Sequence, residues 1–284
     1  MTGASLHPPI GAVREAVTRA LAEDLTPMGD LTASLIDAGA RVNAAIVARQ
    51  DGVIAGTLCV EETCRQVDPD IRVTWDDLFS DGMLVEPGDV VGHIHGFLRS
   101  VLTAERTCLN FLGHLSGVAT LTSRFVGAVQ GTGVRILDTR KTTPGLRALE
   151  KAAVRAGGGF NHRGSLSEMV LVKDNHRAGL SIAEAVRRAT EAWPARTVEV
   201  ECDTLEQVRE AVEAGAQMVM LDNFKPDGIA EAVALVKGRA LVEVSGRMNL
   251  DAIRAYAEGG PDVISVGALT HSAPVFDFGL DLEA

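Results

Sequence analysis

Short apolar runs alternate with helical patterns from about residue 134 onward. Six runs are rich in Val, Ile, Leu and Met, and their near-continuous apolar character is typical of parallel strands buried on both faces. Together with the helical patterns between them, they predict repeated βα units that close into a TIM-like barrel. The runs are VRILD (134–138), MVLVK (169–173), TVEVE (197–201), MVMLD (218–222), ALVEVSG (240–246) and DVISVG (262–267).

The segments between these runs carry the start and stop signals of helices. One helix is expected to begin after Asp203 or Thr204 as its N-cap and to stop at Gly215. The next begins at Pro226, a residue favoured in the first helical turn, and closes at Gly238. These signals support the alternation of strands and helices.

The first hundred residues follow a different pattern, which predicts an α+β domain. Strand–turn–strand patterns predict β-hairpins around Asp51-Gly52 and around Pro87-Gly88. A helical pattern over 103–130 then joins the two parts, with a break expected near Gly113 or Gly117. We therefore expect two domains. The predicted boundaries are 1–112, joined by the tail 273–284, for the N-terminal domain and 113–272 for the barrel domain.

The amino-acid composition and net charge limit the kinds of molecule that the protein is expected to bind. The 284-residue chain has a formal net charge of −11, which argues against nucleic acid and acidic membrane surfaces as partners. Its four cysteines show neither C-x-x-C pairs nor zinc-finger spacing, so no disulfide framework or structural zinc is expected. The N-terminus lacks a secretory pattern, and no apolar run approaches the ~20 residues of a bilayer span. We expect a cytoplasmic protein.

Charged and small polar residues stand at the ends of all six runs. Because active sites of parallel barrels form at the C-terminal ends of the strands, we expect these side chains to meet. Polar strand ends are common, so coincidence is the alternative. The residues are Arg140, Lys141, Lys173, Glu201, Asp222, Glu243, Ser245, Ser265 and Gly267.

Positive charge is concentrated in residues 138–176, which contain seven of the 27 Lys and Arg residues but only four of the 38 Asp and Glu residues. Buried cations without matching carboxylates are costly unless an anion binds them. The planar guanidinium groups of Arg140 and Arg163 suit carboxylate or phosphate. Arg147, Lys151 and Arg155 are interpreted instead as the solvated face of a helix.

Two further features extend the predicted site. The sequences VSG (244–246) and SVG (265–267) end the last two strands, where many barrels bind phosphate through backbone N–H groups. Glu201 and Asp222 suit ligand hydroxyls or a magnesium ion, and a salt bridge across the barrel mouth is the structural alternative. His162 is, on residue type alone, more often a structural hydrogen-bond donor than a catalyst.

The segment DTRKTTPGLRALEKAAVRAGGGFNHRGSLSEMVLVKDNH (138–176) resembles the signature of the quinolinate phosphoribosyltransferase family of type II phosphoribosyltransferases. Segments 104–120, 198–224 and 263–282 resemble the same family in the same order, and the resemblance is weakest over the first hundred residues. It implies an N-terminal α/β sandwich and an incomplete α/β barrel. It also implies a homodimer or higher even oligomer, in which the sandwich of one subunit covers the barrel mouth of the other.

The resemblance implies a reaction in NAD biosynthesis. In the presence of Mg²⁺, phosphoribosyl pyrophosphate and quinolinate react to give nicotinate mononucleotide, pyrophosphate and CO₂. At positions that match the family, the residues implied to bind quinolinate are Arg140, His162, Arg163 and Lys173, with Arg106 from the neighbouring subunit. The residues implied to bind phosphate groups and the ribose are Lys141, His271, Glu201, Asp222, Ser245, Gly246 and Gly267. Among these, the implied catalytic residues are Lys141, Lys173, Glu201 and Asp222, and Glu201 and Asp222 are the implied magnesium ligands.

Two positions depart from the family pattern: Arg247 stands where a second glycine is usual, and Ser165 also replaces a glycine. Three other interpretations stay open. One is a related phosphoribosyltransferase-like protein associated with molybdate transport genes. The second is a Schiff-base aldolase with Lys173 as the nucleophile. The third is a non-catalytic sensor of phosphorylated metabolites.

Overall fold

A computed structural model describes residues 6–177, 179–246 and 248–283 of the protein. The chain divides into two compact units. The first takes the described parts of Met1–Ser123, Thr142–Gly158 and Leu269–Ala284, and the second takes those of Arg124–Lys141 and Gly159–Ala268. The expected domain boundaries had placed residues 113–123, 142–158 and 269–272 with the barrel, whereas the structure packs them in the first unit.

Strands and helices alternate along most of the described chain. The strands are β1 (Arg41–Ala48), β2 (Gly52–Val53), β3 (Arg72–Trp75), β4 (Leu84–Val85), β5 (Val90–Phe97), β6 (Arg135–Leu137), β7 (Val170–Val172), β8 (Val198–Cys202), β9 (Met218–Asp222), β10 (Leu241–Ser245), β11 (Val263–Ser265) and β12 (Phe278–Glu283). The helices are α1 (Ile10–Leu25), α2 (Thr57–Val67), α3 (Leu98–Ala128), α4 (Arg147–Ala156), α5 (Asp174–Arg177), α6 (Ile182–Ala192), α7 (Leu205–Glu213), α8 (Pro226–Val236), α9 (Ile253–Glu258) and α10 (Ala268–His271). None of these helices combines the length and apolar character that a membrane span requires.

The first unit contains a four-stranded sheet in the order β12-β1-β5-β3. Strand β1 lies inside this sheet and pairs antiparallel with both β12 and β5. The short strand β2 pairs with β4 in a separate two-stranded sheet. Both predicted hairpins are therefore wrong, because β1 and β5 use their edges for partners that are distant in sequence.

Helix α3 runs without interruption from Leu98 to Ala128, so the break expected near Gly113 or Gly117 is also wrong. The two glycines serve close packing within the first unit. A Cβ atom at Gly117 would lie 2.1 Å from the Pro274 carbonyl oxygen, and one at Gly113 would lie 2.7 Å from that of Phe276. The backbone of the C-terminal segment thus lies directly on this helix.

The second unit is built on a six-stranded parallel sheet in the order β6-β11-β10-β9-β8-β7. Each strand coincides with one of the six predicted apolar runs, so the predicted strands are confirmed. β6 and β7 form opposite edges of the sheet, as an incomplete α/β barrel requires. Val200, Val219, Leu221, Val244 and Ile264 are fully buried, which explains the near-continuous apolar character of these strands.

The predicted helix signals operate as expected at two positions. The Thr204 hydroxyl caps α7 by accepting the Gln207 N–H at 3.3 Å, and Pro226 occupies the first turn of α8. In α4, however, Lys151 is only 6% exposed, so its interpretation as part of a solvated helix face is wrong.

Candidate active site

A pocket of about 240 Å³ lies in the second unit, at the C-terminal ends of the parallel strands. Five of the side chains proposed for substrate binding or catalysis line it together with Ser245, another predicted site residue. The full set of lining residues is Thr139, Arg140, Lys141, His162, Arg163, Leu171, Lys173, Met220, Glu243, Ser245 and Ser265. Arg140, Lys141 and Lys173, which follow two different strands, thus lie around one pocket, as the sequence pattern predicts.

Arg140 and Arg163 bring two guanidinium groups to this pocket. Burial lowers the pKa of Arg163, and the charge of Arg140 lowers it further, against the opposing effect of Glu199 and Glu168. Arg163 is held in place because its Nη1 donates to the Met169 carbonyl oxygen at 3.0 Å. Two like charges held together in this way favour an anionic ligand.

The ends of β7, β8 and β9 carry a cation followed by two acids. The Lys173 ammonium group contacts Glu201 Oε2 directly. Burial raises the pKa of Asp222, and the Glu201 and Asp203 carboxylates raise it further, whereas Lys173 and Lys141 oppose the shift. Asp222 therefore lies near two further carboxylates and two lysines.

Glu201 and Asp222 fit a magnesium ion by the chemistry of their donor atoms. Mg²⁺ prefers oxygen ligands and is usually bound by one or two carboxylates together with water and substrate phosphates. The two residues end neighbouring strands, β8 and β9. Asn223 Nδ2 donates to Asp222 Oδ2 at 2.6 Å, which orients that carboxylate.

Asp138, the single acid beside the cations of residues 138–141, is fully buried and serves the architecture of the site. Its Oδ1 accepts the His162 N–H at 2.9 Å, and its Oδ2 accepts Asn161 Nδ2 at 2.6 Å. This carboxylate ties the loop that carries Arg163 to the end of β6. The sequence pattern alone predicts no role for Asp138.

His162 lies between two carboxylates that are fully buried, those of Glu199 and Glu243, with its Nε2 3.2 Å from an oxygen of each. Burial by itself lowers the pKa of His162, but the hydrogen bonds and charges of the two glutamates raise it to about 10. Burial, with a smaller effect of Glu243, raises the pKa of Glu199 to about 7, although His162 opposes this shift.

The hydrogen bonds of the ring place its proton. His162 Nδ1 accepts the backbone N–H of Arg163 at 2.9 Å, which a protonated Nδ1 could not do. The ring proton is therefore on Nε2, which faces the two carboxylates. A signal for the cluster was present in the sequence, because a Glu inside an apolar strand buried on both faces requires a partner.

Glycines and serines follow the last two strands, as expected for a phosphate site. Gly246 has a φ of +152°, a backbone conformation that favours glycine. Ser245 and Ser265 line the pocket. Arg247 lies outside the described residues. Ser165 forms a local turn in which its hydroxyl accepts the Ser167 N–H at 3.2 Å.

Two of the predicted site residues belong to the first unit. Arg106 is exposed on α3. His271 ends α10, and its Nδ1 lies 2.6 Å from the Ser272 hydroxyl. Their assignment to the substrate site stays a prediction.

Comparisons with known proteins agree over the whole length of the chain. Residues 118–281 match the family model "Quinolinate phosphoribosyl transferase, C-terminal domain", and residues 30–116 match the corresponding N-terminal domain. A carboxylating nicotinate-nucleotide pyrophosphorylase of Mycobacterium leprae is 43% identical over 279 residues, which cover 95% of this chain and 97% of the relative. A probable enzyme of the same name from Bacillus subtilis is 40% identical over 256 residues, covering 89% and 88%. The solved nicotinate-nucleotide pyrophosphorylase of Francisella tularensis has a TM-score of 0.93, 39% identity and full coverage of both chains.

Proposed function

Because the chain belongs to the quinolinate phosphoribosyl transferase family, we propose that it transfers the phosphoribosyl group of phosphoribosyl pyrophosphate to quinolinate. The products are nicotinate mononucleotide, pyrophosphate and CO₂, in NAD biosynthesis. The names of the relatives, carboxylating nicotinate-nucleotide pyrophosphorylases, support this reaction.

The observation that carries the proposal is the placement of Arg140 and Arg163 in one pocket, where the charge of the first lowers the pKa of the second. A single carboxylate that forms two parallel hydrogen bonds with one guanidinium group would leave the other arginine without a ligand contact. Quinolinate carries two carboxylates on adjacent ring carbons, so one rigid molecule can engage both guanidinium groups. Within this proposal, Lys173 and His162 complete the quinolinate subsite, and Arg106 of the neighbouring subunit is a further contact.

Phosphoribosyl transfer requires stabilisation of charges of both signs. As pyrophosphate departs, positive charge develops on the ribose, and the Glu201 and Asp222 carboxylates are placed to stabilise it. Lys141 and His271 are proposed to face the departing phosphate groups. Ser245 and the backbone N–H groups at Gly246 and Gly267 are proposed to hold the 5-phosphate, because glycine allows a close approach of the ligand.

Loss of CO₂ follows from the chemistry of the ring. Once the ring nitrogen is alkylated, it carries a positive charge next to the carbon that bears the carboxylate. The bond from this carbon to the carboxylate breaks, the electron pair stays on the carbon beside the positive nitrogen, and a solvent proton replaces the CO₂. For this step the protein only has to hold the ring in position. In this proposal the arginine pair holds the ring through its carboxylates.

We also propose that the enzyme uses Mg²⁺, forms a homodimer and works in the cytoplasm. Glu201 and Asp222 would hold Mg²⁺, which supplies charge compensation for pyrophosphate when it is bound. The exposed position of Arg106 on α3 supports a site shared between the two subunits of a homodimer. Four buried free thiols support a reducing compartment.

The test compares substrates in the presence of phosphoribosyl pyrophosphate and Mg²⁺. We expect equal amounts of CO₂ and pyrophosphate from quinolinate and no pyrophosphate from nicotinate. Equal turnover of nicotinate would contradict the substrate assignment, and quinolinate binding without CO₂ release would favour the non-catalytic sensor. The ion pair of Lys173 with Glu201 does not favour the aldolase, which requires a neutral lysine amine as the nucleophile.

A further inference from the structure

A cluster of three side chains adjoins the pocket that contains the arginine pair: His162, Glu199 and Glu243, of which His162 and Glu243 line the pocket. The side chains of both glutamates are fully buried, and that of His162 is 8% exposed. The glutamates project from β8 and β10, on either side of β9 in the parallel sheet. His162 Nε2 donates to Glu199 Oε2 at 3.2 Å and lies 3.2 Å from Glu243 Oε2, at ion-pair distance. Fully buried carboxylates in a sheet are costly, so their partner deserves a functional explanation.

The hydrogen bonds of His162 define its tautomer. Nδ1 accepts the Arg163 N–H at 2.9 Å, so the ring proton resides on Nε2 and points to the glutamates. Both ring nitrogens are thereby engaged by the protein itself. The three groups also have the spacing of metal ligands, but a histidine that binds a metal through Nε2 needs an unprotonated nitrogen there. The tautomer thus favours hydrogen bonding over metal binding.

The same histidine secures the backbone that carries Arg163. The His162 N–H is bound by Asp138 Oδ1 at 2.9 Å, and the next N–H along the chain is bound by the imidazole. Two consecutive backbone N–H groups are therefore fixed immediately beside a guanidinium group of the pocket. Displacements of about 1 Å in a binding site can change rates roughly a hundredfold, so the orientation of this ring has consequences for the ligand.

We propose that Glu199 is a positioning residue which, through Nε2–H of His162, fixes the imidazole and hence Arg163 in the geometry that binds a planar dicarboxylate. This inference rests on the proposed function and adds to it a residue that is not among those lining the pocket. It predicts that loss of this carboxylate weakens quinolinate binding and leaves the phosphoribosyl pyrophosphate site unchanged.

The test compares two variants of Glu199. In Glu199→Gln the side-chain oxygen still accepts the Nε2–H, whereas Glu199→Leu removes the acceptor at similar volume. We expect the KM for quinolinate to rise by about tenfold or more in the Leu variant, with rescue to near the wild-type value in the Gln variant. The KM for phosphoribosyl pyrophosphate is expected to stay unchanged in both. A matched control is Glu62→Gln, at a buried glutamate on α2 that accepts Arg65 Nε at 2.8 Å. This control is expected to lower Tm without changing either KM.

A double-mutant cycle distinguishes action through His162 from direct contact. In a His162→Ala background, Glu199→Leu should raise the KM for quinolinate no further. Additive effects, or equal increases in both KM values, would overturn the positioning role, and so would Leu and Gln variants that are equally impaired. An active wild type in which Glu199→Leu changes no kinetic constant would overturn it as well.

One measurement does not depend on the folding or activity of any variant. The ¹⁵N NMR spectrum of the histidines in the wild-type protein should show His162 protonated at Nε2 and unprotonated at Nδ1. The opposite tautomer, or an imidazolium protonated on both nitrogens, would overturn the inference. A wild type that releases no CO₂ from quinolinate would instead contradict the proposed function, and the tautomer would still decide the geometry of the cluster.

Discussion

Arg140 and Arg163 place two guanidinium groups in one pocket of a protein whose formal net charge is −11. Two acids near them serve the architecture: Asp138 accepts two hydrogen bonds from the following loop, and Glu199 faces His162. We propose that a dianionic ligand engages the two guanidinium groups.

Replacement of Asp138 by Ala should destabilise the protein, because it leaves the His162 N–H and Asn161 Nδ2 without a buried acceptor. We expect a loss of about 2–4 kcal/mol in the free energy of unfolding. Urea denaturation measures this loss. The control is Asp37→Ala, which removes an exposed acceptor of the Gly39 N–H and should cost less than about 1 kcal/mol. Equal losses in the two variants would contradict the structural role of Asp138.

Replacement of Asp222 by Asn should stabilise the metal-free protein while it abolishes phosphoribosyl transfer. The pKa of Asp222 is raised in the folded state, so its ionised form opposes folding at neutral pH. We expect a gain below about 1 kcal/mol, or roughly 1–3 °C in Tm, because the group is partly exposed.

The pH dependence of this gain provides the check. It should be complete above the raised pKa and should vanish at pH values below the ordinary value of 3.8, where Asp222 is protonated in both states. Differential scanning calorimetry of both proteins over this range measures it. A lower Tm for Asp222→Asn at pH 7 in metal-free buffer would contradict the account.

At the residue scale, sequence reasoning identified the charged groups of the pocket but not the groups that hold them. The cations at the strand ends indicated a common site because each of them follows an apolar run. Glu199 and Glu243 were overlooked as partners of His162, since their distance from it along the chain conceals the contact. Their signal was a charged residue within a strand that is otherwise apolar.

At the scale of elements, local patterns predicted which segments are strands but not which strands pair. All six parallel strands coincide with predicted runs, because burial on both faces leaves a strong local signal. The hairpin predictions failed because β1 is long enough to pair along both edges, with β5 and β12. Pairing of this kind depends on partners far along the chain, which turn signals do not reveal.

Gly117 and Gly127 of α3 differ in their surroundings, so their replacement by alanine should change stability differently. In Gly117→Ala the new Cβ atom would lie 2.1 Å from the Pro274 carbonyl oxygen, so we expect a loss of about 3 kcal/mol in unfolding free energy. Gly127, on the same helix, has no neighbour within 4 Å at the corresponding position. Gly127→Ala should be neutral or stabilising by up to roughly 1 kcal/mol. Chemical denaturation compares the two, and equal stability would contradict the packing role of Gly117.

At the scale of the whole molecule, the proposed dimer makes a prediction about mixed subunits. If Arg106 completes the site of the neighbouring subunit, Arg106→Ala and Lys141→Ala should each be nearly inactive. A random mixture of the two should regain about a quarter of wild-type activity, because half of the dimers contain one intact site of two. CO₂ release after refolding the mixture measures this recovery. Absence of recovery in confirmed mixed dimers would contradict the shared site.

The claim that two guanidinium groups share a pocket because a dicarboxylate fills it is tested most directly by a crystal structure of the protein with bound quinolinate. The account predicts one quinolinate molecule in the pocket of the second unit, with its carboxylates within hydrogen-bond distance of both Arg140 and Arg163. Quinolinate bound elsewhere, or with both carboxylates directed away from these two side chains, would contradict it.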